Sequence, residues 1–255
     1  RTGAEVARLI ADGDLDERMP VHGNDEIAVL GESFNDMADT LQHQIQHMER
    51  LSVLQRQFVS DVSHELRTPL AVVQARLDAF EDGVLSPTPA ELALIGTQIE
   101  LLTRLVSDLR TLSLADAGRL SLQLTPLDLS ALAGRVSQTF ASKASAAGCQ
   151  LITDLTPDEL PVEADGGRLS QVLINLLENA VRYAPPGSSI LVKTARRGDW
   201  AILQVRDSGE GFAAQSIERV FARFYRAEES RSRESGGSGL GLSIVAALVQ
   251  AHGGE

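Results

Sequence analysis

From Glu26 onward the apolar positions fall at Ile27, Leu30, Phe34, Met37, Leu41, Ile45 and Met48, spaced 3, 4, 3, 4, 4 and 3. That spacing is a narrow, coiled-coil-like seam on a helix. The seam runs on without a break through Leu51, Leu54, Phe58, Val62, Leu66, Leu70, Val73, Leu77 and Phe80. The stretch 82–90, DGVLSPTPA, then ends the helix and turns the chain. A second helix follows, with Leu92, Ile95, Ile99, Leu102, Val106, Leu109 and Leu112 on one face and 115–118 closing it. Two long amphipathic helices joined by a short turn make a hairpin. A hairpin has too few helices to bury both apolar faces, so the pattern predicts a homodimer built on a four-helix bundle. Ahead of the seam, Val6, Leu9 and Ile10 read as the end of another helix. Residues 11–26 form a polar connector broken by Gly13, Pro20 and Gly23, with Val21 as a buried anchor.

After about residue 118 the period changes. SLQLTPLDL reads as a strand leading into a helix over 128–147, and QLITDL as a short strand. Residues 165–184 form a strongly apolar helix, started near Asp165 and stopped by Pro185-Pro186-Gly187. SILVKTARR and WAILQVRDS alternate as two strands around a hairpin turn at 197–199. Residues 212–236 are loop-like with a short helix at 216–225, and 239–253 form a helix entered through glycines. Mixed strands and helices of this kind predict an α/β sandwich.

Composition narrows the classes. With 23 basic and 35 acidic side chains the net charge is −12, which makes the chain a poor candidate for binding nucleic acid through its whole surface. Local basic spots such as Arg223 to Arg233 can still hold phosphate. The single cysteine, Cys149, excludes an intrachain disulfide and a cysteine metal cluster. No run of about 18 apolar residues spans a membrane. The chain begins at Arg1, so it is expected to be a fragment, with a membrane segment upstream left open.

The chemistry concentrates in three places. In FVSDVSHELRTPL (58–70), Val62 and Leu66 lie on the seam, and His64 sits about 180° from their midpoint at ~100° per residue. His64 therefore faces away from the bundle core, where another domain can reach it. A neutral imidazole nitrogen can attack the γ-phosphorus of ATP and form a phosphoramidate. Glu65 can take the ring proton. Thr68, one turn beyond, can position a water for the reverse reaction, and Pro69 frees the carbonyl of Glu65 and predicts a bend. A solvated histidine on a helix is the bland alternative. His43 and His47 are spaced for a metal but lack a third ligand.

The second place is VRDSGEG (205–211). Asp207 at a strand end can accept a hydrogen bond from an adenine amino group, and Gly209 and Gly211 let the backbone approach a base. The third is GGSGLGLS (236–243), where Gly237, Gly239 and Gly241 precede a helix whose free N–H groups suit phosphate. On the apolar helix, Asn175 and Asn179 share a face with Glu178 and Arg182. That face suits a Mg²⁺–triphosphate, or else holds capping amides. Tyr183 can stack on the base or simply pack.

Taken together, these segments resemble the sensor histidine kinases of bacterial two-component systems, over nearly the whole chain. FVSDVSHELRTPL resembles the H box, LINLLENAVRYA the N box, DSGEG the first glycine box, FARFYR (221–226) the F box and GGSGLGLSIV the second glycine box. Residues 1–52 resemble a HAMP linker, mainly through Pro20 and DEIAVLGESFNDMA. The resemblance implies a multidomain chain. Its parts are a HAMP-like linker over 1–52 with its first helix cut short, a dimerisation and histidine phosphotransfer hairpin over 53–117, and a catalytic ATP-binding domain of the GHKL type over 118–255. The coiled-coil and four-helix-bundle dimer is thus followed by an α/β sandwich.

It implies that His64 is the phosphoacceptor assisted by Glu65, with Thr68 at the position used for phosphatase activity. Asn179 and Asn175 would hold Mg²⁺, Arg182 phosphate and Asp207 adenine. Tyr183, Gly209, Gly211, Arg226, Gly237, Gly239, Leu240 and Gly241 would shape the ATP pocket and its lid. The implied partners are a second copy and the receiver domain of a response regulator, with no direct nucleic acid. The implied location is the cytoplasmic portion of a bacterial inner-membrane protein, reached through an upstream transmembrane segment. The chain stops at AHGGE, so the last strands of the ATP domain are expected to be missing. Two other functions fit the same residues: a dimeric scaffold with a degenerate ATP domain, and an ATPase without histidine transfer.

Overall fold

The computed structural model describes Val6, Arg8, 16–19, Val21, 26–225 and 238–255. Its Cα positions group into two compact units, Arg1–His64 and Glu65–Glu255. One helix, α1 (Glu26–Glu81), runs through 56 residues and continues past Pro69.

In the first unit the connector is pinned to α1 by side chains. Asn35 accepts from the Met19 N–H at 2.8 Å and donates to the Met19 carbonyl at 3.0 Å, so one carboxamide serves both backbone groups of one residue. Arg18 pairs with Asp39 and donates to Gln42 at 2.9 Å. Val21 lies 3.3 Å from where a Cβ of Gly31 would stand, so the expected anchor packs at a glycine of α1. The seam itself is mostly bare in the single chain, with Leu30 69% and Met48 68% exposed.

In the second unit, the end of α1 turns into α2 (Pro89–Asp116). Thr88 caps α2 by accepting from the Glu91 N–H at 3.3 Å, and Pro89 occupies its first turn. An Arg76–Glu91 ion pair ties the base of the hairpin. The buried face of α2 differs from the expected one. Ile95 and Leu112 of the expected face are buried, but Leu92, Ile99 and Val106 of that face are more than half exposed, and Leu105, Asp108 and Thr111, which lie off it, are buried. Two faces of α2 are therefore apolar: one meets the rest of the unit and one stays open.

The remaining elements are β1 (Thr125–Asp128), α3 (Leu129–Ala146), β2 (Gln150–Asp154), β3 (Pro161–Ala164), α4 (Gly166–Tyr183), β4 (Ser189–Arg197), β5 (Trp200–Arg206) and α5 (Gly241–Ala251). β4 is central in a three-stranded sheet. It pairs parallel with β2, Leu151 opposite Ile190, and antiparallel with β5, Val192 opposite Val205. β1 and β3 form a separate antiparallel pair. β3 was not foreseen from sequence, because four residues around a proline carry too little periodicity. The short helix expected at 216–225 is instead a 3-10 turn at Ala214–Arg219.

Alternation along β4 puts Ile190, Val192 and Thr194 on one buried face. The two aliphatic side chains pack with Ala133 and Phe140 of α3 and with Leu173, Leu177 and Ala180 of α4. A second cluster joins Leu105 and Leu112 of α2 to Val172 of α4 and to Leu240, Ile244, Val245 and Leu248 at α5. Each fully buried leucine contributes about 1.5–3 kcal/mol of burial. Among the described residues, no helix is long and apolar enough to cross a membrane.

Candidate functional site

The site is built on α4. Asp165 caps it: Oδ1 accepts from the Arg168 N–H at 3.0 Å, and Oδ2 accepts from the Gln123 N–H at 3.0 Å. The Gln123 bond is the main reason this carboxyl lies below its ordinary range, with the Arg168 bond adding to it against a smaller opposing effect of burial. His252 at the end of α5 accepts from the Asp165 N–H at 3.1 Å, which joins the start of α4 to the end of α5. With its apolar stripe in the two clusters, α4 turns Asn175, Glu178, Asn179 and Arg182 toward a cavity of about 670 Å³. These four stand at i, i+3, i+4 and i+7, one stripe of a helix.

Three other segments close the cavity. Asp207 follows β5, and one carboxylate oxygen accepts from the Gly209 N–H at 2.7 Å. A Cβ on Gly209 would stand 2.9 Å from the Tyr183 carbonyl oxygen, so only glycine lets this turn close onto the end of α4. Gly209 thus lies behind the wall that Tyr183, Asp207 and Gly211 form. On the other side, Gly239 has φ +68, and a Cβ there would lie 2.8 Å from the Phe224 backbone. The Phe224 N–H donates to the Gly239 carbonyl at 3.0 Å. Gly239 and Gly241 face the cavity, and α5 starts without a side-chain cap, which leaves its N-terminal turn open to an anion.

Leu240 departs from expectation. Its side chain is fully buried in the second cluster and does not line the cavity. Arg226 and Gly237, also expected here, lie outside the described residues. Asn179 is half-buried on α4. Its oxygen fits a hard cation. Among the described residues no three His, Cys, Asp or Glu side chains cluster as a metal site.

The remaining wall comes from α2 and was missed from sequence. Arg104, Leu105 and Asp108 line the cavity. Arg104 donates to the Asn175 Oδ1 at 3.0 Å and pairs with Glu178, which also accepts from Lys143 at 2.8 Å. Burial pushes the Glu178 carboxyl up, but its bonds to Arg104 and Lys143 outweigh this and hold it below the ordinary range. The Glu178 bond and charge raise Arg104 in turn, against the effect of burial. Asp108 is buried, and desolvation carries its carboxyl from 3.8 to about 6 despite Arg104 at 3.9 Å. Asn175 is itself buried, and its Nδ2 has no hydrogen-bond partner among the described residues. The sequence signal was an Arg–Asp pair at i, i+4 inside an apolar helix, which reads as a surface pair until the buried face is known.

The histidine belongs to the first unit. His64 and Thr68 are exposed on α1, and Glu65 is half-buried. The described residues that line the cavity all belong to the second unit.

Known proteins share this arrangement. Residues 164–255 match the family described as histidine kinase-, DNA gyrase B- and HSP90-like ATPase, 54–118 the His Kinase A (phospho-acceptor) domain, and 4–43 the HAMP domain. The signal transduction histidine-protein kinase BaeS of Escherichia coli is 40% identical over 99% of this chain and 54% of its own length. The sensor histidine kinase MtrB of Mycobacterium tuberculosis is 37% identical over 100% of this chain and 45% of its own. The chain thus spans about half the length of these curated relatives. Among solved structures, the Acinetobacter baumannii histidine kinase AdeS superposes with a TM-score of 0.62 at 34% identity, covering 74% of this chain and 86% of its own. A helical hairpin followed by an α/β ATP-binding domain, matched in order by these three families, makes the chain a member of the two-component sensor histidine kinases.

Proposed function

We propose that this chain phosphorylates His64 from Mg²⁺–ATP and passes the phosphoryl group to an aspartate on the receiver domain of a response regulator. The observation that carries the reading is the pairing, in one chain, of an exposed helical histidine with a cavity walled by Asn179, Asp207 and an uncapped glycine-entered helix. Asp207 reads the adenine amino group with the carboxylate oxygen that Gly209 leaves free. The start of α5 and Arg182 receive the phosphates. Asn179, together with Asn175, would hold Mg²⁺, which supplies charge neutralisation at the phosphates when bound.

A nitrogen of neutral His64 forms the new P–N bond as the bond from the γ-phosphorus to its bridging oxygen breaks and ADP leaves with the electron pair. Glu65 takes the proton from the other ring nitrogen. In the second transfer a carboxylate oxygen of the acceptor displaces the imidazole. His64 and the cavity belong to different elements of the chain, so the proposed transfer requires the ATP site to dock on the histidine helix, and this docking is where a signal acts. Thr68, exposed one turn from His64, positions a water for removal of phosphate from the regulator. We assign 1–52, 53–117 and 118–255 to linker, phosphotransfer hairpin and ATP domain. The chain would work as a homodimer, at the cytoplasmic face of a membrane, in a longer protein. The ShkA structure, 25% identical with a TM-score of 0.55, is of the full-length protein in complex with AMPPNP, which supports the reading of this chain as a nucleotide-binding protein.

The test is His64→Gln. Incorporation of label from [γ-³²P]ATP into acid-labile, base-stable phosphoprotein should fall to background, while nucleotide binding persists. Full labelling of the variant would sink the assignment. Free phosphate without phosphoprotein in the wild type would point to a plain ATPase.

A further inference from the structure

We infer that Arg104 of α2 is a latch that keeps Mg²⁺ out of the nucleotide site by occupying the Asn175 carboxamide oxygen and the Glu178 carboxylate, so that metal-bound nucleotide must first part α2 from α4. The inference rests on the reading of Asn175 and Asn179 as the Mg²⁺-holding pair, and concerns how that pair is regulated.

The argument begins with what each atom can do. An amide binds a hard cation through oxygen, and Asn175 has one side-chain oxygen. That oxygen accepts from a guanidinium at 3.0 Å. A cation on the same oxygen, at roughly 2.1 Å, would sit within about 5 Å of a full positive charge. Arg104 and Mg²⁺ therefore compete for Asn175. The other end of the amide points the same way. Asn175 is only 5% exposed, yet its Nδ2 has no hydrogen-bond partner among the described residues. A buried donor of this kind calls for a partner from water or from a ligand in the cavity.

The surroundings fit a contact that opens at low cost. When Arg104 leaves, Glu178 keeps Lys143 at 2.8 Å, so no carboxylate is stranded. Arg104 keeps Asp108, one turn along its own helix. Each partner retains an opposite charge in both states, so the contact can switch without burying a lone ion. Asn179, one turn from Asn175, stays available for a first contact with the metal. Arg104 could instead be a phosphate-gripping cation. In that role its removal would weaken nucleotide binding, whereas removal of a latch strengthens it.

The experiment measures affinity for a fluorescent ATP analogue on the whole chain, in Mg²⁺ and in EDTA, for wild type, Arg104→Gln and Asn179→Ala. Arg104→Gln should tighten the Mg²⁺ value by about 5-fold or more, the range of an ordinary coupling between two sites, and leave the EDTA value nearly unchanged. Hydrogen exchange across 101–108 should speed up when Mg²⁺–nucleotide is added to wild type, and should already be fast in the variant. Weaker or unchanged Mg²⁺ affinity in Arg104→Gln overturns the latch. An Asn179→Ala variant that keeps wild-type Mg²⁺ affinity overturns the underlying metal assignment instead, so the two failures are distinguishable.

Discussion

Two helices of this chain carry equally legible apolar stripes and meet opposite fates. On α4, Val172, Leu173, Leu177 and Ala180 are all buried against the sheet, α3 and α5. On α1, Leu30, Met37, Leu41, Ile45, Met48, Leu54, Leu70 and Leu77 are all exposed. The periodicity states that a face needs burial. It does not state what will bury it. α4 finds its partners within the same chain, whereas the narrow seam of α1 is suited to another helix, which is why a second copy is proposed for it.

That contrast can be broken at several points. The largest effect should come from Leu177→Ala, which opens a cavity in the core under β4 and should cost the ATP domain about 2–5 kcal/mol in chemical denaturation. A loss under 1 kcal/mol would mean that α4 does not depend on this face. Next, Leu54→Asp on the exposed seam should weaken self-association by at least roughly tenfold in sedimentation, with almost no change in unfolding of the ATP domain. If unfolding shifts instead and the oligomer does not, the seam is buried by its own chain.

The smallest expected effect concerns pH. In the folded chain Asp108 titrates at about 6, above its ordinary 3.8, so the folded state binds a proton more tightly than the unfolded one. Stability from this group is therefore greatest below pH ~4 and declines as pH rises toward ~6, by on the order of 1 kcal/mol after solvent screening. Asp108→Asn should gain that amount relative to wild type at pH 7 and little at pH 4. Parallel curves at both pH values would assign the burial of Asp108 no energetic consequence.

How much could be read in advance follows the same division. Helix starts and stops were legible because they are local chemistry: Thr88, Asp128 and Asp165 cap helices, and Gly118 and Gly198 take positive φ at turns. The stripe of Asn175, Asn179 and Arg182, and Asp207 near them, was legible because helical spacing and strand ends dictate it. Arg104 and Asp108 were not, because their role depends on which face of α2 meets α4, and α2 has apolar residues on two faces. Leu240 is a cavity residue only by the family resemblance, whereas its side chain obeys the simpler rule for a leucine and goes to the core.

That leucine has a mechanical consequence. Gly239 and Gly241 border the space where phosphates are proposed to sit, and between them Leu240 is anchored among Leu105 and Leu112 of α2. A displacement of the glycine rim must therefore be accommodated in the aliphatic cluster that Leu240 shares with the second helix of the hairpin, so the pocket and the hairpin have one layer of packing in common.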